Sequence, residues 1–122
     1  GLSGHPDHIA VGQWVVDVFR RAEGINALYA IAVPQSLAER LDMRQIHSVP
    51  DEAIALTVDV SSVWETKLAA MRCHATQTSS SPMMSAPAER QRLFFGREYF
   101  VRAACRDPEM DFMSEVLKDD PL

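Results

Sequence analysis

One stretch constrains the fold more than any other. Behind residue 8, Val11, Trp14, Val15, Val18, Phe19 and Ala22 fall at i, i+3, i+4, i+7, i+8 and i+11, the spacing that lays a single apolar stripe along an α-helix. A helix so patterned needs a second layer to bury its stripe, and Trp14 is read as part of that core. Gly24 supplies the stop signal. The next segment, "ALYAIAV" from Ala27 to Val33 closed by Pro34, is apolar throughout and predicts a strand buried on both faces, as parallel sheets require.

Alternation continues downstream. A short helix is expected over Ser36 to Leu41. Ile54, Leu56, Val58 and Val60 then alternate with Ala55, Thr57 and Asp59, the period-two pattern of a strand with one face toward a core. Ser62-Val63-Trp64-Glu65 fits a capping box and predicts a helix running to about His74, with Trp64 in the core. "TQTSSSPMMSAP" from Thr76 to Pro87 has no period and reads as a mobile surface loop. Met83 and Met84 within it are more simply a connector than a lid. A last strand is expected over Glu98 to Ala103. Helices alternating with strands point to an α/β layer architecture with a mostly parallel sheet.

Composition narrows the function classes. The 122 residues fit one domain, with 47% hydrophobic content to build a core. A formal charge of −5, without a basic stripe, argues against nucleic acid as the main partner. Much of the acidity lies in Asp107, Glu109, Asp111, Glu115, Asp119 and Asp120, so residues 106 to 122 read as a solvated acidic tail. Only two cysteines, Cys73 and Cys105, stand far apart, a usage typical of a reducing compartment. With no segment resembling a bilayer span or signal peptide, a cytoplasmic setting is expected.

The chemistry concentrates in His5-Pro6-Asp7-His8. Histidine supplies neutral nitrogen ligands for zinc and exchanges protons near neutral pH. Pro6 biases His5 toward an extended backbone, so the two imidazoles are not expected to stack along a helix. His8, three residues before Val11, faces inward if the helix begins there. From spacing alone two readings stand: a site in which Asp7 orients an imidazole, or a surface turn in which Asp7 is the helix N-cap.

A resemblance adds to this reading. "SGHPDHIAVG", "KLAAMRCHATQ" from Lys67 to Gln77 and "GREYFVR" from Gly96 to Arg102 resemble, in that order, the carboxy-terminal portion of the zinc-dependent N-deacetylases. That family includes the GlcNAc-phosphatidylinositol deacetylases and the LmbE-like bacterial enzymes. The resemblance implies a Rossmann-like three-layer α/β fold, a Zn2+ cofactor, and hydrolysis of an N-acetyl or other N-acyl group on an amino sugar or glycoconjugate. Under it, His8 resembles a zinc ligand, His5 the group that stabilises the oxyanion or protonates the leaving amine, and Asp7 its orienting partner. Lys67, His74 and Gln77 are candidates for substrate contact or for structural roles. Lys67, Met71 and His74 share one helix face at i, i+4 and i+7, and a helix-end cap is the simpler role for His74. Family members also carry an earlier His-Pro-Asp-Asp-Glu motif that supplies two further ligands and the general base; this sequence contains none. The expectation is therefore the carboxy-terminal half of a deacetylase, inactive alone, whose partners are an amino-sugar or glycoconjugate substrate, the missing amino-terminal half of the same protein and a possible second copy. The alternative is a non-catalytic binding or assembly module retaining half of the fold.

Overall fold

The computed structural model describes residues 2–79 and 81–113. It divides into two compact units, one drawn from the described parts of Gly1–Thr57 and Tyr99–Leu122, the other Val58–Glu98. Residues 114–122, the far part of the expected acidic tail, lie outside the described residues.

The first unit opens with helix α1, Pro6–Arg21. Pro6 suits the first helical turn because its missing N–H would have had no intrahelical acceptor. The helix ends at Ala22, two residues ahead of Gly24, which takes the left-handed conformation at φ +82°. Arg106 secures this end. Its guanidinium donates to the carbonyls of Phe19, Ala22 (3.0 Å), Arg20 (3.3 Å) and Ile25 (3.1 Å), and lies 4.8 Å from the centre of the Phe19 ring. A fixed cation thus meets the carbonyl-rich, negative end of the helix dipole.

Strand β1, Ala27–Ala32, follows as expected, and helix α2 spans Gln35–Arg40. Strand β2 is Leu56–Asp59 and strand β3, the longest, is Arg97–Cys105. Their order is β1-β3-β2. The mostly parallel sheet expected from the sequence is replaced among the described residues by an antiparallel one. Ala27 pairs with Cys105 and Ala32 with Tyr99, and a bulge between Leu28 and Tyr29 leaves Ala103 as the extra residue. Ala55 N–H to Phe100 O and Val60 N–H to Gly96 O run in the same antiparallel sense. The one parallel element described is an isolated bridge between Pro34 and Val49. An apolar run reports a tendency to be buried, not a strand direction, and β1 is not covered on both sides, since Ile31 is 58% exposed.

Burial corrects the reading of α1 as well. Phe19 is buried, but Trp14 is 66% exposed and Val11, Val15 and Val18 are also exposed. The stripe is helical as read, yet the described residues cover only its Phe19 end. The core of this unit is Phe19, Ala32, Val33, Leu37, Ala38, Leu41 and Leu56. Asp111, expected in a solvated tail, is 2% exposed because Tyr29 and Arg102 both bond its carboxylate.

In the second unit, helix α3 spans Trp64–Arg72, and Trp64 and Leu68 are buried as core. The capping box is absent. Residues Ser61–Val63 already form a 3-10 turn, so Val63 occupies the N-cap and makes no side-chain bond. Asp59, two residues ahead of the 3-10 turn, accepts the Ser61 N–H at 2.8 Å and also its hydroxyl. These bonds from Ser61 hold the Asp59 carboxyl below the usual carboxylate range. Helix α3 stops before His74, which sits at the N-cap of the four-residue helix α4, Ala75–Thr78. Within the stretch read as a loop, Met83 is buried, and the buried Gln91 side chain donates to the Met84 carbonyl at 2.7 Å. Helix α5, Ala88–Phe95, was not anticipated, because it is short and its apolar residues crowd at one end.

Candidate functional site

The structure places His5 at the N-cap of α1, with an extended backbone at φ −64° and ψ 132°. Its imidazole, not the Asp7 side chain, caps the helix: Nδ1 accepts the Asp7 N–H at 3.2 Å. An accepting Nδ1 carries no proton, so in the neutral ring the proton sits on Nε2 and Nε2 is a hydrogen-bond donor. The Asp7 carboxylate lies 3.9 Å from Nδ1, beyond hydrogen-bond reach. Thus the peptide group of Asp7 orients His5, while its carboxylate stays 84% exposed.

His8 follows one turn later. The two rings are 5.3 Å apart between centroids and tilted by 45°, consistent with the expectation that they do not stack. Ser3 Oγ lies 3.2 Å from His8 Nδ1 and accepts the His5 N–H at 3.4 Å. One hydroxyl therefore touches both histidine residues. His8 also lines an open groove of about 830 Å³ with Ser3, Val11, Val15, Ile31, Val101 and a further histidine, His47. The groove wall is mostly aliphatic, and its polar groups are few.

Neither Ser3 nor His47 stood out in the sequence. Ser3 is a serine in a short leading segment, and His47 lies in an aperiodic connection between α2 and β2; each acquires meaning only through the contact it makes.

Lys67, His74 and Gln77 belong to the second unit. Lys67, only 21% exposed, donates to the Phe95 carbonyl at 2.6 Å and pairs with Glu98 at 3.0 Å, the arrangement of a structural cation. His74 is off the α3 face it was expected to share with Lys67 and makes no side-chain cap bond; its backbone carbonyl instead receives the Thr78 N–H and hydroxyl, each at 3.0 Å. Gln77 lies within α4. Cys73 and Cys105 are both free thiols.

Among the described residues, no three of histidine, cysteine, aspartate and glutamate converge into a group that could hold a metal ion. A catalytic zinc site uses three protein donors and keeps one position open. His8 offers a single imidazole toward that set, so the described residues do not make up a zinc site by themselves. No described helix is long and apolar enough to cross a membrane.

The relatives of the chain are named as deacetylases. The chain is 33% identical over 97 residues to 1D-myo-inositol 2-acetamido-2-deoxy-alpha-D-glucopyranoside deacetylase of Saccharomonospora viridis, covering 67% of this chain and 36% of that protein. Proteins of the same name from Acidothermus cellulolyticus and Salinispora arenicola are 31% identical over 121 residues and 30% over 128 residues. They cover 83% and 84% of this chain, and 41% of each relative. The chain thus spans 36% to 41% of the length of these curated relatives. No family model matches the chain, and no solved structure matches it significantly. The similarity supports a relationship to deacetylases in general.

Proposed function

We propose that the protein carrying this chain is a zinc-dependent N-deacetylase of the LmbE-like kind, acting on an N-acyl amino sugar or glycoconjugate in the cytoplasm. In this reading His8 is one zinc ligand, and the other ligands and the general base come from outside the described residues. The finer architecture, a Rossmann-like three-layer fold, belongs to the same proposal. The observation that carries it is the pairing of His5 and His8 at the start of α1, with rings 5.3 Å apart, in a chain whose relatives are named as deacetylases.

The reaction adds water across the amide C–N bond and yields a free amine and a carboxylate. His5 is built to assist it. With Nδ1 occupied by the Asp7 N–H, its Nε2–H can donate to the carbonyl oxygen as negative charge grows there, or pass toward the departing amine. The His5 side chain is 57% exposed, so a substrate can reach it.

The test is zinc analysis paired with release of acetate from an N-acetylated amino sugar. Wild type is expected to hold zinc and turn over, and His8→Ala to lose both. A protein that binds no zinc and releases no acetate would instead favour a binding or assembly module.

A further inference from the structure

We infer that Ser3 and His47 are positioning residues for the His5 and His8 pair, a reading that deepens the proposed function by naming what holds its two imidazoles in place. Three observations carry it. First, the Ser3 hydroxyl stands between the two histidines, 3.4 Å from the His5 amide and 3.2 Å from His8 Nδ1. A ring nitrogen engaged in this way fixes the rotation of the imidazole and the nitrogen it presents outward. Second, the turn carrying Ser3 is held from outside, because the His47 N–H donates to the Leu2 carbonyl at 3.0 Å. Third, the His47 ring closes over Gly4. A Cβ at Gly4 would stand 2.9 Å from His47 Nε2, and Gly4 adopts φ +68°, which disfavours any other residue. Gly4 thus lets the segment pass under the His47 ring and places Ser3 against His8.

The consequence is a defined division of labour. His47 lines the same groove as His8, but its contacts go to Leu2 and Gly4. It acts on the pair through the turn, and Ser3 acts on His8 directly.

Ring nitrogen spectra of the histidines in the full-length protein, taken after a chelator has removed any zinc so that no metal fixes the His8 tautomer, test this without reference to turnover. In wild type, His5 and His8 are each expected to show one dominant tautomer. Ser3→Ala should convert His8 to an averaged mixture of tautomers, and Ser3→Thr, which keeps the hydroxyl, should restore the single form. His47→Ala should loosen the turn and average both His5 and His8, with the amide signals of Phe19 to Ala22 at the far end of α1 unmoved as the control for folding. Gly4→Ala approaches the same contact from the other side and should act as His47→Ala does. If Ser3→Ala leaves the His8 ring signals unchanged, or Ser3→Thr fails to restore them, the role of Ser3 is overturned. If His47→Ala and Gly4→Ala both leave the pair unaffected, the clamp is overturned. A protein that lacks deacetylase activity yet shows these ring responses would lose the functional reading and keep this one.

Discussion

The Tyr29 hydroxyl donates to Asp111 Oδ2 at 2.6 Å, joining residues 82 positions apart. Arg102 Nη1 reaches the same oxygen at 3.0 Å, and the Asp111 side chain is 1% exposed. The hydrogen bond from Tyr29, followed by the contact with Arg102, holds the Asp111 carboxyl below the usual carboxylate range despite its burial. Burial, then the bond to Asp111, pushes the Tyr29 phenol upward. The two shifts act on opposite flanks of the stability profile. A depressed carboxyl contributes stability that is present above its unfolded value of about 3.9 and is lost as pH falls through the folded value; a raised phenol contributes stability present below about 10 and lost above it. Urea midpoints should therefore form a plateau between these limits. Asp111→Asn should flatten the acid flank in part, the remainder coming from Asp51 and Asp59, whose carboxyls are also held low by bonds from Ser36 and Ser61. An unchanged acid flank in Asp111→Asn would contradict the assignment.

Arg106 makes a second prediction about stability. Its guanidinium serves several carbonyls at the end of α1 from a distance of more than eighty residues in sequence. Removing it takes away the guanidinium those carbonyls share, leaving only Arg20 and Arg21 of the helix itself, and uncovers Phe19. Arg106→Ala is expected to cost about 2 kcal/mol, the scale of charge-assisted hydrogen bonds and a partly buried helix-end charge. Arg106→Lys should recover only a fraction, because an ammonium cannot spread over several carbonyls as the planar fork does. Thermal melts of the three proteins check the order wild type, Lys, Ala.

The local order of elements was largely legible in the sequence. The stripe from Val11 to Ala22, the apolar run at Ala27 and the alternation around Leu56 each carry a period, and each gave the expected element within a few residues. What failed was long-range. Strand direction depends on which strand lies beside β1, and neither Ala27–Ala32 nor Arg97–Cys105 encodes that locally. Trp14 was read as core because an apolar stripe shows where a partner layer belongs without showing that the described residues supply one. At the site, His5 and His8 stood out in the sequence as a chemically loaded pair, and the resemblance rather than their spacing suggested roles for them. Their supports did not stand out, since Ser3, Gly4 and His47 act through contacts that no spacing rule connects. The capping residue was misread for a related reason: imidazole is a rare N-cap beside Asp, Ser and Asn, yet here it takes the Asp7 N–H.

Lys67 separates a structural role from a substrate-binding one. Its ammonium is committed to the Phe95 carbonyl and Glu98, and lies 5.9 Å from the centre of the Phe95 ring. Lys67→Met keeps most of the aliphatic stem and removes the charge. It should lower stability by about 1–2 kcal/mol, as expected for losing a charged hydrogen bond in a half-covered setting, and leave KM for an N-acetylated amino sugar unchanged. A raised KM with unaltered stability would return Lys67 to the substrate.

The final prediction separates the two jobs held by His5, which caps α1 through Nδ1 and presents Nε2 to the site. His5→Ala removes both. It should cost about 1 kcal/mol of stability from the lost cap together with a fall in turnover on the order of 10²–10⁴-fold, the range for a lost oxyanion or acid–base group. His5→Asn divides them. Asparagine is among the best N-caps, and its side-chain oxygen can take the Asp7 N–H, so the melting temperature should return to near wild type while turnover stays as low as in His5→Ala. Asp7→Asn should do less than either, because the N–H that orients His5 belongs to the backbone and survives the change; the altered carboxylate lies 3.9 Å from Nδ1, beyond hydrogen-bond reach. Parallel melts and acetate-release rates on these three variants decide the matter. If His5→Asn restores stability and rate together, His5 is a cap and nothing more. If Asp7→Asn falls as far as His5→Ala, the carboxylate itself takes part in the chemistry, and the orienting role assigned to the Asp7 peptide group is wrong.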